Sequence, residues 1–94
     1  MTEKEILQLI ALVGVYDARK VPNDQIRLAA MAGEWAYQLN EYSGAEAVKA
    51  FREMSSLMDP ACPSLWDVKK RCDDNRAHAA RLASGPRSLG TGDQ

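Results

Sequence analysis

Three side chains in this sequence belong to types that bind metals or act as nucleophiles: Cys62, Cys72 and His78. They are separated by nine and then five residues, a spacing that matches no compact zinc module. A nucleophilic pair would need His78 to activate one thiol, with oxyanion donors that no motif supplies. No glycine-rich phosphate-binding loop is present. We therefore predict no metal, cofactor or catalytic residue, and interpret Cys72 as a core residue and Cys62 as a loop thiol.

A cluster of basic side chains near the C-terminus is the most pronounced charge feature. The formal net charge is only −1, which does not favour indiscriminate nucleic-acid binding. Acidic neighbours dilute the cluster, and helical spacing spreads it around the axis. It is either a solvated helix surface with intrahelical ion pairs or a contact surface for a protein or nucleic acid. Its members are Lys69, Lys70, Arg71, Arg76 and Arg81.

Trp66 precedes this basic cluster and follows a proline-rich turn. At the second position of a helix it could belong to the core or could be an exposed anchor for a partner, and the sequence leaves both open. The candidate partner-binding residues are Trp66, Lys69, Lys70, Arg71, Arg76 and Arg81.

Capping signals and apolar periodicity predict the elements that position these residues. Thr2 with Glu5, and Ser43 with Glu46, are capping boxes. No segment alternates with the period of two expected of a strand. The prediction is an all-α, compact four-helix domain over residues 1–83, with a partly exposed C-terminal helical extension and a flexible tail at 84–94. The predicted helices cover about 3–17, 24–41, 44–58 and 65–83.

The stretch Asn23–Tyr42 carries two apolar faces, so we expect the second helix to lie in the middle of the bundle. Gly33 on its second face indicates close packing of another helix. In the third helix we expect Leu57 to face the core and Glu53 to face solvent. The first face of the second helix comprises Leu28, Ala32, Trp35, Leu39 and Tyr42, and the second face comprises Ile26, Ala29, Ala30, Gly33 and Ala36.

The N-terminus, MTEKE, is acidic and polar where a secretory signal would be basic and then apolar. The longest apolar run is far too short to span a membrane. Two cysteines in an otherwise ordinary composition fit a reducing compartment. The sequence thus predicts a cytoplasmic protein without membrane contact.

Short motifs in three of the helices resemble the small phage proteins that load and inhibit the replicative DNA helicase. The resemblance covers residues 2 to 72. It rests on Trp35-Ala36-x-x-Leu39, Ala45-x-Ala47-Val48 and Pro63-Ser64-x-x-Asp67-Val68-Lys69-Lys70.

The resemblance implies a helical domain without enzymatic activity that binds the hexameric host or phage replicative helicase. Such proteins hold the helicase inactive and deliver it to an origin-bound initiator protein. In that family a flexible C-terminal segment takes part in partner binding, and here it corresponds to Asp73–Gln94. A phage protein of this shape could equally bind another host protein.

The alternative from a different class is a helix-turn-helix DNA-binding regulator. The recognition helix would be the one after Ser43, which offers Lys49 and Arg52, or the one after Pro63. The connection Glu41–Gly44 has about the length that such a motif needs. Direct nucleic-acid binding and the oligomeric state are left open by the sequence.

Overall fold

The computed structural model describes the backbone of residues 1–90 and the side-chain surroundings of residues 1–84, and it contains no strand within that range. A short 3₁₀ turn, Ala18–Lys20, lies between the first two helices. The predicted all-α class with four helices is confirmed. The helices are α1 (Glu3–Tyr16), α2 (Gln25–Gln38), α3 (Gly44–Met58) and α4 (Leu65–Gly90).

Each helix begins at a side-chain cap that the sequence indicates. In α1 the Thr2 hydroxyl accepts a hydrogen bond from the Glu5 N–H at 3.2 Å, and the Glu5 carboxylate accepts one from the Thr2 N–H at 2.8 Å. These bonds satisfy donors that a helix N-terminus otherwise leaves unpaired. The N-caps are Thr2, Asp24, Ser43 and Ser64.

Two helix ends differ from the prediction. α2 ends at Gln38, before the predicted end near residue 41. α4 continues past residue 83 to Gly90, and the Ser84 hydroxyl donates to the Ala80 carbonyl at 3.1 Å, one turn earlier. The rest of the predicted tail, residues 91–94, lies outside the described residues.

α3 packs along α4 and against α1, and α2 packs against α1 and α4, so the four helices surround a shared core. Phe51 of α3 is fully buried and meets the ring of Tyr16 edge-on, with centroids 5.2 Å apart. The buried core comprises Ile6, Leu9, Ile10, Val13, Trp35, Leu39, Tyr42, Ala47, Ala50, Phe51, Val68 and Cys72.

The predicted central position of α2 is wrong. Its first face packs inward through Trp35 and Leu39, whereas Ile26 on the second face is 80% exposed. Over residues 1–84, no atom of another element lies within 4 Å of a Cβ built on Gly33. Alanine and glycine on this face offer little apolar area, so covering them would gain little free energy. α3 contributes five buried residues, including Phe51, whereas within α2 the buried residue is Trp35.

Two assignments in α3 are also corrected. Leu57 is 68% exposed, because it lies in the last turn, where the chain leaves for the connector to α4. Ser55 is buried, and its hydroxyl donates to the Phe51 carbonyl at 2.8 Å, so the burial leaves no unpaired polar group. Glu53 is half-buried and turned toward α4 rather than solvent.

Among the helices described over residues 1–90, none combines the length and the apolar character needed to cross a membrane.

Candidate partner-binding face of α4

α4 is the longest helix, with 26 residues and a length of about 39 Å. Val68 and Cys72 are buried against the rest of the domain, and the Cys72 thiol lies 3.8 Å from the Glu46 carbonyl of α3. From Arg76 to Ser84 every side chain is exposed. The first turns of α4 are therefore fixed in the fold, and its later turns extend beyond the core.

Glu53 of α3 anchors the first turns of α4. Its Oε1 accepts hydrogen bonds from Arg71 Nε at 3.1 Å and Asn75 Nδ2 at 2.9 Å, while Lys49 Nζ lies 3.1 Å from its Oε2. These donors, Asn75 first and then Arg71 and Lys49, lower the pKa of Glu53 to about 2. The ionised carboxylate thus links α3 to α4.

Glu46 forms a second link one helical turn further along α4. Its carboxylate accepts from Arg76 Nε at 2.8 Å and Nη2 at 2.9 Å, and also accepts from the Ser43 N–H in the capping box at 3.0 Å. Hydrogen bonding by Arg76, followed by that of the Ser43 backbone, lowers the pKa of Glu46 to about 2. The Arg76 guanidinium also lies 4.4 Å from the centroid of the Tyr42 ring.

The structure therefore divides the candidate partner-binding residues into two sets. Arg71 and Arg76 are held by Glu53 and Glu46 and fasten α4 to α3. The sequence assigned these two arginines to a binding surface, whereas their contacts are within the fold. The other four, Trp66, Lys69, Lys70 and Arg81, do not join these links.

Trp66, Lys70 and Arg81 lie on the side of α4 that points away from Val68, and we call this side the outer face of α4. Trp66 is 62% exposed, which decides between the two positions that the sequence left open. Lys69 lies at the edge of this face and is 3.9 Å from Asp73. The outer face thus presents a large aromatic ring one turn from Lys70, and the exposed Asp73 and Asp74 lie on the same side of the helix.

Sequence reasoning missed Glu46 and Glu53 as the partners of the two arginines. The available signal was their separation of seven residues, which places both on one side of α3. Matching them to Arg76 and Arg71 requires the register of the antiparallel α3–α4 pair, which the tertiary fold supplies.

The thiols are poorly suited to nucleophilic chemistry. Burial, followed by the nearby Glu46 charge, raises the pKa of the Cys72 thiol to about 11, and burial also raises that of Cys62. Both therefore stay protonated at neutral pH, and the thiol form is a weak nucleophile. His78 is exposed on α4. Within the described residues no three His, Cys, Asp or Glu side chains are grouped as a metal site.

Charge reversal at the adjacent positions 70 and 71 should distinguish the residues that fasten α4 to α3 from those on its outer face. Arg71→Glu removes a donor from Glu53 and places a second carboxylate beside it, so we expect the free energy of unfolding to fall by about 1–2 kcal/mol. Lys70→Glu on the outer face should change it by less than about 0.5 kcal/mol. Urea denaturation followed by circular dichroism measures both, and equal losses would contradict this division.

No protein-family model, curated protein or solved structure matches this chain.

Proposed function

We propose that this protein is a non-enzymatic adaptor that binds a partner protein stoichiometrically through the outer face of α4. The observation that carries the proposal is the exposed Trp66 ring beside Lys70. Tryptophan is enriched among the residues that dominate binding energy, because a rigid ring buries a large apolar area at low entropic cost. The adjacent Lys70 favours an acidic group beside the pocket that accepts the ring.

The links between α3 and α4 support this role. Glu53 with Arg71, and Glu46 with Arg76, hold α4 in place without using the residues of its outer face. A side chain presented on a fixed helix loses less conformational freedom on binding than one on a mobile loop. The Trp66 ring is therefore presented from a pre-organised surface.

The more specific proposal is a phage-type loader and inhibitor of the replicative DNA helicase that acts in the host cytoplasm. Its support is the resemblance over residues 2 to 72, whose third motif ends in Lys69 and Lys70; Trp66 stands at an unspecified position of that motif. The adaptor would bind the hexameric helicase, hold it inactive, and release it to an initiator protein. No covalent chemistry is involved, so inhibition would follow the fraction of helicase in complex.

The test is binding to purified bacterial or phage replicative helicase, measured by calorimetry, with unwinding assayed in parallel. We expect Trp66→Ala to weaken binding by at least about 30-fold, the loss of roughly 2 kcal/mol typical of a central anchor. Leu57→Ala is the matched control, because Leu57 is a similarly exposed apolar residue on α3. Binding that is absent in the unmodified protein, or equal in both variants, contradicts the proposal.

A DNA-binding regulator is the competing outcome of the same experiments. On α3, Lys49 is engaged by Glu53 at 3.1 Å, and Arg52 is the remaining basic side chain of that helix. A regulator would bind duplex DNA with an affinity that falls steeply as salt rises. Salt-sensitive DNA binding without helicase binding would favour this second function.

A further inference from the structure

The outward side of α2 is an exposed apolar surface separate from the outer face of α4. Ile26 and Tyr37 lie at its two ends and are 80% and 71% exposed. Ala30 and Gly33 lie between them, and spacings of four, three and four residues align all four side by side on the helix. We call this surface the α2 face.

Gly33 is the unexplained residue of the α2 face. Glycine inside a helix lowers the stability of that helix relative to alanine. A contact that needs the missing side chain would compensate for this loss. Among the described residues of its own chain, no packing neighbour approaches within 4 Å of the position where its Cβ would stand. The space above Gly33 is therefore available to an atom from another molecule.

Two opposite charges flank the α2 face on one edge. Arg27 and Glu34 are both exposed, and their separation of seven residues places them on the same side of α2, about 10 Å apart along the axis. Glu34 accepts a hydrogen bond from Gln38 at 2.8 Å but forms no ion pair within the described chain. The two charges are too far apart to pair within one helix.

We propose that two copies of this chain associate through their α2 faces, antiparallel about a two-fold axis between Ala30 and Met31. This axis brings Arg27 of each copy opposite Glu34 of the other, because the two positions are equidistant from it. The symmetry keeps both residues on the same edge of the contact, so two equivalent ion pairs form. The charged residues beside the α2 face of one copy are thus complementary to those beside the α2 face of the other copy.

The same arrangement fits the apolar residues. Along the helix axis, Ile26 of one copy lies between the positions of Gly33 and Tyr37 of the other. Because Gly33 has no side chain, the isoleucine side chain can be accommodated there. Small residues at the crossing let two helices approach to about 8 Å. A single helix pair is smaller than a standard interface of about 1,600 Å², so we expect a weak dimer that depends on concentration.

Sedimentation velocity over a concentration series up to about 1 mM tests the dimer, since association weaker than that would have no measurable population. We expect Arg27→Glu alone and Glu34→Arg alone to weaken dimerisation by about ten-fold or more, because each places like charges opposite one another twice. An equimolar mixture of the two variants should recover it as a heterodimer, and so should the double variant. Weakening by each single variant together with recovery in the double variant is specific to the antiparallel pairing, because in a parallel pair position 27 would face position 27 and the like charges would remain.

Lys70→Glu is the matched control, because it makes the same change of charge on the outer face of α4. It should dimerise like the unmodified protein. Gly33→Gln is a second probe that fills the open space with a good helix former, and we expect it to be monomeric. Circular dichroism confirms that each variant is folded. A monomeric unmodified protein at the highest concentration, or a mixture that does not recover the dimer, overturns the proposal.

Discussion

Replacing Phe51 with alanine is expected to lower the free energy of unfolding by about 3–5 kcal/mol, the range measured when a large buried ring is removed. Phe51 of α3 is fully buried and contacts Tyr16 of α1 edge-on. Its loss leaves a cavity in the core and removes an aromatic pair. Urea denaturation followed by circular dichroism gives the value directly, and Phe51→Leu provides a milder variant should the alanine variant not fold.

Leu57→Ala is the control in the same helix. The apolar periodicity of α3 predicts that Leu57 faces the core, whereas the structure places it in solvent. We therefore expect a change within about 0.5 kcal/mol, as for other surface substitutions. A loss comparable to that of Phe51→Ala would show that α3 is rotated about its axis so that Leu57 faces the core.

Acidification is expected to destabilise the domain in the window between pH 4.5 and about 2. The pKa values of Glu46 and Glu53 are lowered from 4.5 to about 2 in the folded state, because arginine and asparagine side chains donate to their carboxylates. Folding therefore favours the ionised form. The resulting stability is complete above the unfolded pKa and is lost as the pH falls through the folded pKa.

Solvent screening of the two carboxylates limits the loss of stability on acidification. The side chains of Glu46 and Glu53 are 38% and 30% exposed, so screening reduces each contribution to about 1 kcal/mol and the pair to about 2 kcal/mol. Urea denaturation at a series of pH values measures it. A stability that is constant across this window would contradict the links between α3 and α4.

The double variant Glu46→Gln, Glu53→Gln is the control for the pH effect. Glutamine can still complete the capping box with Ser43 and can still accept hydrogen bonds. We expect it to be less stable than the unmodified protein at pH 7, with most of the dependence on pH removed between 4.5 and 2. An unchanged pH profile would assign the effect to other carboxylates.

The four helices were predictable because their signals are local. A capping box needs two residues three positions apart, and Thr2 with Glu5 and Ser43 with Glu46 form theirs as expected. The apolar periodicity of α1 likewise indicated an inward stripe, of which Ile6, Leu9, Ile10 and Val13 are buried, whereas Tyr16 at its end is 51% exposed. These interactions are completed within one or two turns, so no knowledge of the rest of the chain was needed.

The candidate site was only partly predictable. The sequence correctly directed attention to α4, but it could not separate Lys70, which faces solvent, from Arg71, which binds Glu53 of α3. Adjacent residues on a helix point about 100° apart. Which of them meets another helix depends on how the two helices are rotated against each other.

By itself, the sequence determined that the chain forms four capped helices in this order, because caps and periodicity act over a few residues. Only the tertiary structure decided that α2 packs against α1 and α4 without lying in the middle of the bundle, and that Trp66 is exposed. It also decided that Arg71 and Arg76 fasten α4 to α3. The physical reason is that helix packing is chosen by total burial and by pairing of charges between distant segments, which no local pattern contains.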